Sequence, residues 1–195
     1  MSKKESLTLM ALILCFTLFL TGCGSTTPKA NMPAGETPTT LTTYPLTIND
    51  DSGGSVTLAA QPKRIISLVP SATETLFALG SGDTVVSVTK WDNYPVGVQK
   101  EVEYVFEDGI RPNSEQILEL EPDLIVMGLM DNQKDIEAIR NLKIPVVTIN
   151  PQTLAETYQT IEMFGKLTDT QEQAHQIVSG MKEKEQVIVE KIKTI

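Results

Sequence analysis

RIISLVPSATETLFALGSGDTVVSV, residues Arg64–Val88, contains two short apolar runs with a helix-length segment between them. RIISLV (Arg64–Val69) and TVVSV (Thr84–Val88) are continuous rather than alternating, the pattern of strands buried on both faces. After Pro70, the stretch from Ser71 to Leu79 reads as a helix closed by Gly80. Strand, helix, strand is the repeating unit of a parallel sheet.

The unit recurs downstream. Asn113 to Leu120 reads as a helix with Asn113 as its N-cap, stopped before Pro122. LIVM (Leu124–Met127) is a third apolar run, Gln133 to Leu142 a helix, and IPVVTI (Ile144–Ile149) a fourth run. Thr153 to Leu167 is helical again, with Thr153 and Glu156 spaced as a capping box. Upstream, Tyr44 to Ile48 and Ser55 to Leu58 flank the turn-rich NDDSGG and read as a hairpin. The expected fold class is α/β, a parallel β-sheet sandwiched by helices. From Asp169 one long helix runs to the end, with Ala174, Ile177, Val178, Met181, Ile188, Ile192 and Ile195 near one face. Its expected length is about 40 Å. Ending without a glycine cap or a breaker, it reads as leading into a longer protein.

The first residues give an address. Ser2-Lys3-Lys4 precedes LTLMALILCFTLFL (Leu7–Leu20), too short for a permanent span at roughly 20 residues but suited to a signal peptide. Leu20-Thr21-Gly22-Cys23 then resembles a bacterial lipobox, which makes Cys23 the expected lipidation site and residues 1–22 the signal peptide. Cys15 lies in the removed run, so Cys23 is the one mature cysteine, and no disulfide framework follows. Without Lys3, Lys4 and Glu5 the chain carries 14 basic and 24 acidic residues, a formal charge of −10. That argues against nucleic acid as a partner and against electrostatic attraction to anionic lipid. The membrane contact expected is therefore the lipid anchor. Residues 23–43, rich in Thr, Pro, Gly and Ala, form an expected tether.

In an open parallel sheet, ligands bind beyond the carboxyl ends of the strands. Pro70-Ser71, Thr89–Pro95, Gly128–Asn132 and Asn150–Gln152 are the loops expected there, next to Met127 at the end of the third run. One of them, TKWDNYP, holds Trp91, the single tryptophan of a chain with 5% aromatic residues, and Tyr94. Two readings are open for Trp91: a flat apolar wall for a ligand, or a satellite core residue folded over the sheet's end. Ser71 and Glu74 have capping-box spacing, so Glu74 has a purely local explanation as well.

PKRIISLVPSATETLFALG, WDNYP and GIRPNSEQILELEPDLIVMG, in this order after YPLTINDDSGGSVTL, resemble the bacterial solute-binding proteins that serve ABC importers of cobalamin, haem and ferric siderophores. The resemblance covers residues 44 to 195. It implies two α/β lobes joined by a stiff helix, of which residues 44–167 are the first lobe and 168–195 the interlobe helix; the second lobe is absent. It also implies that Glu74 docks on arginines of the membrane permease, by the strong two-point hydrogen bond a carboxylate makes with guanidinium. Tyr94 matches a tyrosine that lies against the ligand in cobalamin-binding members, where D-Y-P stands in place of Asn93-Tyr94-Pro95. Pro70, Ser71, Trp91, Tyr94 and Met127 are thus the expected ligand contacts, with no resident cofactor or metal.

Among the ligands, a corrinoid fits best. Polar and anionic siderophores are often held by arginines, and the chain has only Arg64, Arg111 and Arg140. Haem needs an axial ligand. His175 is placed on the long helix as a solvated or packing residue, leaving Tyr94, Met127 and Met130 for iron. The main alternative class is an enzyme of the hydrolase type, but no G-x-S-x-G elbow, phosphate loop or histidine pair occurs. A surface-anchored interaction protein is a third reading. The expected location is the cell envelope, outside the cytoplasm and lipid-anchored.

Overall fold

Each of the four apolar runs forms a strand, and burial along them explains their composition. A computed structural model describes residues 41–129 and 133–193, and these lie within one unit, Pro38–Ile195. The elements in order are β1 (Leu46–Asn49), β2 (Ser55–Leu58), β3 (Ile65–Ser67), α1 (Pro70–Ala78), β4 (Val85–Thr89), β5 (Tyr104–Phe106), α2 (Ser114–Glu119), β6 (Leu124–Gly128), α3 (Gln133–Arg140), β7 (Val146–Ile149), α4 (Leu154–Thr168) and α5 (Gln171–Lys193). Single 3-10 turns occupy Gly82–Thr84 and Val98–Lys100.

β3 to β7 make one sheet in the order β5-β4-β3-β6-β7, and every pairing is parallel. Successive residues of β6 point to opposite layers. Leu124 and Val126 pack with Ala72 and Leu76 of α1, Ile161 and Phe164 of α4, and Ala174 and Val178 of α5. Ile125 and Met127 pack with Ile117 of α2 and with Ile136 and Ile139 of α3. Both faces being covered, neither set of alternating positions is left for polar residues. Each such Leu or Ile side chain contributes about 1.5–3 kcal/mol by leaving water.

Local signals hold at several ends. Asn113 Oδ1 accepts from the backbone N–H of Glu115 and Gln116 at 2.8 and 3.2 Å, and the Thr153–Glu156 capping box is formed. Gly80, at φ 80°, lets the chain leave α1 in a left-handed turn.

Other expectations are corrected. A fifth strand, β5, joins the edge of the sheet. Its three residues sit between Glu103 and Glu107, too short and too charged in context to read as an apolar run; only pairing with β4 makes it a strand. The Ser71–Glu74 capping box does not form. Val69 is the N-cap, with extended backbone, and Pro70 is the first helical residue, so Ser71 lies inside the helix. The last two helices are separate, as expected, with Asp169 in the left-handed conformation (φ 59°, ψ 39°) ending α4. α5 begins at Gln171 rather than Asp169, and its 23 described residues span about 34 Å. Thr42 N donates to Asp169 Oδ1 at 2.7 Å and Tyr44 Oη to Leu167 O at 3.0 Å, so Thr42, assigned to the tether, is held against the end of α4.

The β1–β2 hairpin is attached through Asp50, whose carboxylate is enclosed at the end of β7. Oδ2 accepts from Thr148 N (3.1 Å), Thr148 Oγ1 (2.7 Å) and Arg140 Nη2 (3.0 Å). Oδ1 accepts from Ser52 Oγ, Ser52 N and Gly54 N. Burial alone pushes this carboxyl upward, but the hydrogen bonds from Ser52, Thr148 and Gly54 outweigh it and hold Asp50 below its usual range.

α5 packs through its first half only. Ala174 and Val178 are buried and Ile177 and Met181 half-buried, whereas Val187, Ile188, Val189 and Ile192 are exposed. Tyr158 Oη, donating to Glu185 Oε2 at 2.8 Å, ties α4 to the middle of α5. Ile195 lies outside the described residues.

Candidate functional site

The parallel pairing sends the segments after β3, β4, β5, β6 and β7 to one edge. After β4 the chain enters TKWDNYP, and this loop is braced from inside by a polar residue. Asp92 is buried, with Oδ2 accepting from Thr89 N at 2.9 Å and Thr89 Oγ1 at 2.5 Å. Asp92 N donates back to Thr89 O, and Trp91 N donates to Thr89 Oγ1 at 3.2 Å. Gln99 Nε2 spans the loop's outer side, donating to Lys90 O (3.0 Å) and Asp92 O (2.7 Å).

With Asp92 turned inward, its neighbours face out. Trp91 is 66% exposed and Tyr94 59% exposed. Trp91 is therefore not a satellite core residue, and the two aromatics share one short, hydrogen-bonded loop. Lys90 Nζ stands 5.2 Å from the centre of the Trp91 ring and 3.2 Å from Glu107 Oε2. The Tyr94–Pro95 peptide is cis. Val96 and Ile110 add further exposed apolar surface along the same edge.

The next loop fits closely beside it. A Cβ on Gly109 would lie 2.6 Å from Leu68 O and 2.8 Å from Thr89 Cγ2. Glycine is thus required where the β5 loop crosses the ends of β3 and β4. Asp108 Oδ1 accepts from the N–H of Ile110 and Arg111 at 2.7 and 3.1 Å, and these bonds, that from Arg111 foremost, hold its carboxyl below the usual range.

The expected contacts are distributed unevenly. Pro70 is half-buried and Ser71 exposed at the start of α1, and Glu74 is exposed one turn on. Met127 is corrected: it is 0% exposed and packs with Ile66, Ile125 and Ile136, so it presents no surface to a ligand. The even-odd alternation of β6 sends it into the core. Met130 and most of the loop after β6 lie outside the described residues, as does Cys23. His175 is exposed on α5.

All three arginines have carboxylate partners. Arg64, at the opposite edge, grips Glu103 with both terminal nitrogens (2.9 and 2.8 Å); Arg111 meets Asp135 at 3.2 Å and Arg140 meets Asp50. Among the described residues no group of three His, Cys, Asp or Glu is arranged to hold a metal ion. No described helix is long and apolar enough to cross a membrane. Two grooves lie away from Trp91 and Tyr94: one of about 440 Å³ between β1 and α4, one of about 460 Å³ between β2 and the start of β7.

Thr89, Asp92, Gln99 and Gly109 were not singled out in the sequence. Asp92 three residues after Thr89 is a spacing that local turns use, but it is common in loops.

The family model described as "periplasmic binding protein" matches residues 65–195. The chain is 37% identical to an uncharacterized ABC transporter substrate-binding lipoprotein, YvrC, of Bacillus subtilis, over 98% of this chain and 60% of the relative. It is 33% identical to the vitamin B12-binding protein of Pectobacterium carotovorum, over 64% of this chain and 45% of that one. The crystal structure of a possible iron-binding (periplasmic solute-binding) protein from Staphylococcus epidermidis has a TM-score of 0.56 at 35% identity, covering 64% of this chain and 49% of that chain. The chain spans about half to three-fifths of the length of these relatives.

Proposed function

This chain belongs to the periplasmic binding protein family, and from that premise we propose that it captures a bulky metal-containing nutrient for an ABC importer. The ligand favoured is a corrinoid, with haem and ferric siderophores next. One observation carries the reading: Trp91 and Tyr94 stand exposed on a single braced loop at the carboxyl edge of a parallel sheet. A flat apolar side chain held in water is costly unless something flat covers it, and a corrin or porphyrin ring has that shape. Pro70 and Ser71, after β3, complete the wall.

Other parts of the molecule take the roles that accompany this reading. Residues 44–167 act as one lobe and α5 as the helix leading away from it. The exposed apolar residues of its distal half, Val187, Ile188 and Ile192, suit a surface that a further lobe covers. Glu74, exposed and with no part in capping α1, docks on permease arginines. Cys23 carries the lipid that holds the protein at the outer face of the membrane. The vitamin B12-binding relative and the iron-binding relative support the ligand class without choosing within it.

The test is titration of the chain with cyanocobalamin, haemin and a ferric hydroxamate, read by Trp91 emission. Saturable quenching by one of the three is expected. Absence of quenching by all three removes the reading.

A further inference from the structure

We infer that Asp92 is a positioning residue: its buried carboxylate, with Gln99 opposite, locks the loop so that Trp91 and Tyr94 are pre-set toward the ligand. This rests on the proposed ligand-binding reading for its purpose, although the brace itself is a property of the free chain. Asp92 is 1% exposed and has no ion-pair partner among the described residues, an unusual place for a carboxylate. Its Oδ2 holds both the backbone and the hydroxyl of Thr89, the last residue of β4, while Oδ1 has no partner among the described residues.

A carboxylate placed this way does two things at once. It ties the fourth residue of the turn to the last residue of β4, and it occupies the inward position that Trp91 would otherwise take. Trp91, one residue earlier, is thereby directed outward, and its own N–H is held by the same Thr89 hydroxyl at 3.2 Å. Gln99 closes the loop from the solvent side by holding the carbonyls of Lys90 and Asp92. Thr89 is fixed in turn by the β5 segment crossing at Gly109, whose missing side chain leaves room for Thr89 Cγ2. The consequence is a ligand wall ordered before binding, which spares the complex the entropy of ordering two aromatic side chains and their loop.

Because Trp91 is the only tryptophan, the nanosecond decay of fluorescence anisotropy in the full chain reports this loop alone. Three variants separate the possibilities. Asp92→Ala removes the brace. Asp92→Asn keeps an acceptor for Thr89 and puts its amide nitrogen where Oδ1 has no bond to lose. Gln99→Ala removes only the outer clamp, at an exposed position. In Asp92→Ala and Gln99→Ala the amplitude of the fast local motion about doubles, with circular dichroism unchanged, while Asp92→Asn matches wild type. Wild-type decay in both Asp92→Ala and Gln99→Ala overturns the inference. Global unfolding of Asp92→Ala with a wild-type loop in Gln99→Ala also overturns it, since Asp92 is then a core residue. Cyanocobalamin supplies the second arm. Binding about tenfold weaker in Asp92→Ala but not in Asp92→Asn ties the brace to ligand capture. A wild-type chain that binds no probe, yet shows the loop changes, keeps the brace and discards the transport reading.

Discussion

Lys90 and Trp91, adjacent in sequence, face each other across the rim: the ammonium lies 5.2 Å from the indole centre while also meeting Glu107. The pair is solvated, so its cation–π attraction is about 0.5–1 kcal/mol. A ring held outward by a braced backbone and steadied by a neighbouring cation is prepared to receive a ligand, and it does little for the core.

Trp91→Ala is therefore expected to change unfolding free energy by less than about 1 kcal/mol, where truncation of a buried tryptophan costs about 3–5 kcal/mol. Urea denaturation followed by circular dichroism measures this. In the same variant, affinity for the bound probe falls; because the tryptophan reporter is gone, calorimetry is the readout.

Glu74→Gln is expected to leave stability within about 0.5 kcal/mol, because the side chain is exposed and caps nothing. Ligand affinity stays as in wild type, and uptake by cells carrying the permease drops. Normal uptake in this variant would make Glu74 an ordinary surface residue of α1.

Asp50 gives the chain an acid-sensitive joint. Its carboxyl sits below the usual range in the folded state, so the stability it contributes is present above the unfolded value of about 3.9 and is lost as pH falls through the lower folded value. Urea midpoints measured from pH 7 down to pH 3 should fall, and Asp50→Asn should flatten part of that slope while lowering the midpoint at pH 7. An unchanged slope would mean that the hairpin anchor is not charged.

Gly109→Ala places a methyl 2.6 Å from a backbone oxygen, Leu68 O, which cannot swing aside. Overpacking of this kind costs about 1–3 kcal/mol. The β4 and β5 loops should separate, seen as increased Trp91 mobility and a lower thermal midpoint. A variant as stable as wild type, with an unchanged Trp91 signal, would show the crossing to be loose.

The α/β class, the parallel direction of the sheet and the loop that carries the aromatics were all readable from residue order. Buried strands announce themselves by unbroken apolar runs, and RIISLV, TVVSV, LIVM and IPVVTI stand apart from everything around them. Local caps were readable where the motif is self-contained, as at Asn113 and at Thr153–Glu156, and misread at Ser71, where the proline fixed the helix start one residue earlier. What depended on partners distant in the chain was not readable. Tyr104–Phe106 becomes a strand only beside β4, and Met127 is core rather than ligand surface because the pleat of β6 turns it inward. Trp91 shows the division most clearly. Its place at the sheet's carboxyl edge follows from sequence, since chain direction fixes which ends the loops occupy; whether its ring points in or out was decided by the carboxylate of Asp92 taking the inner position, a choice made by hydrogen bonds that only the folded sheet brings within reach.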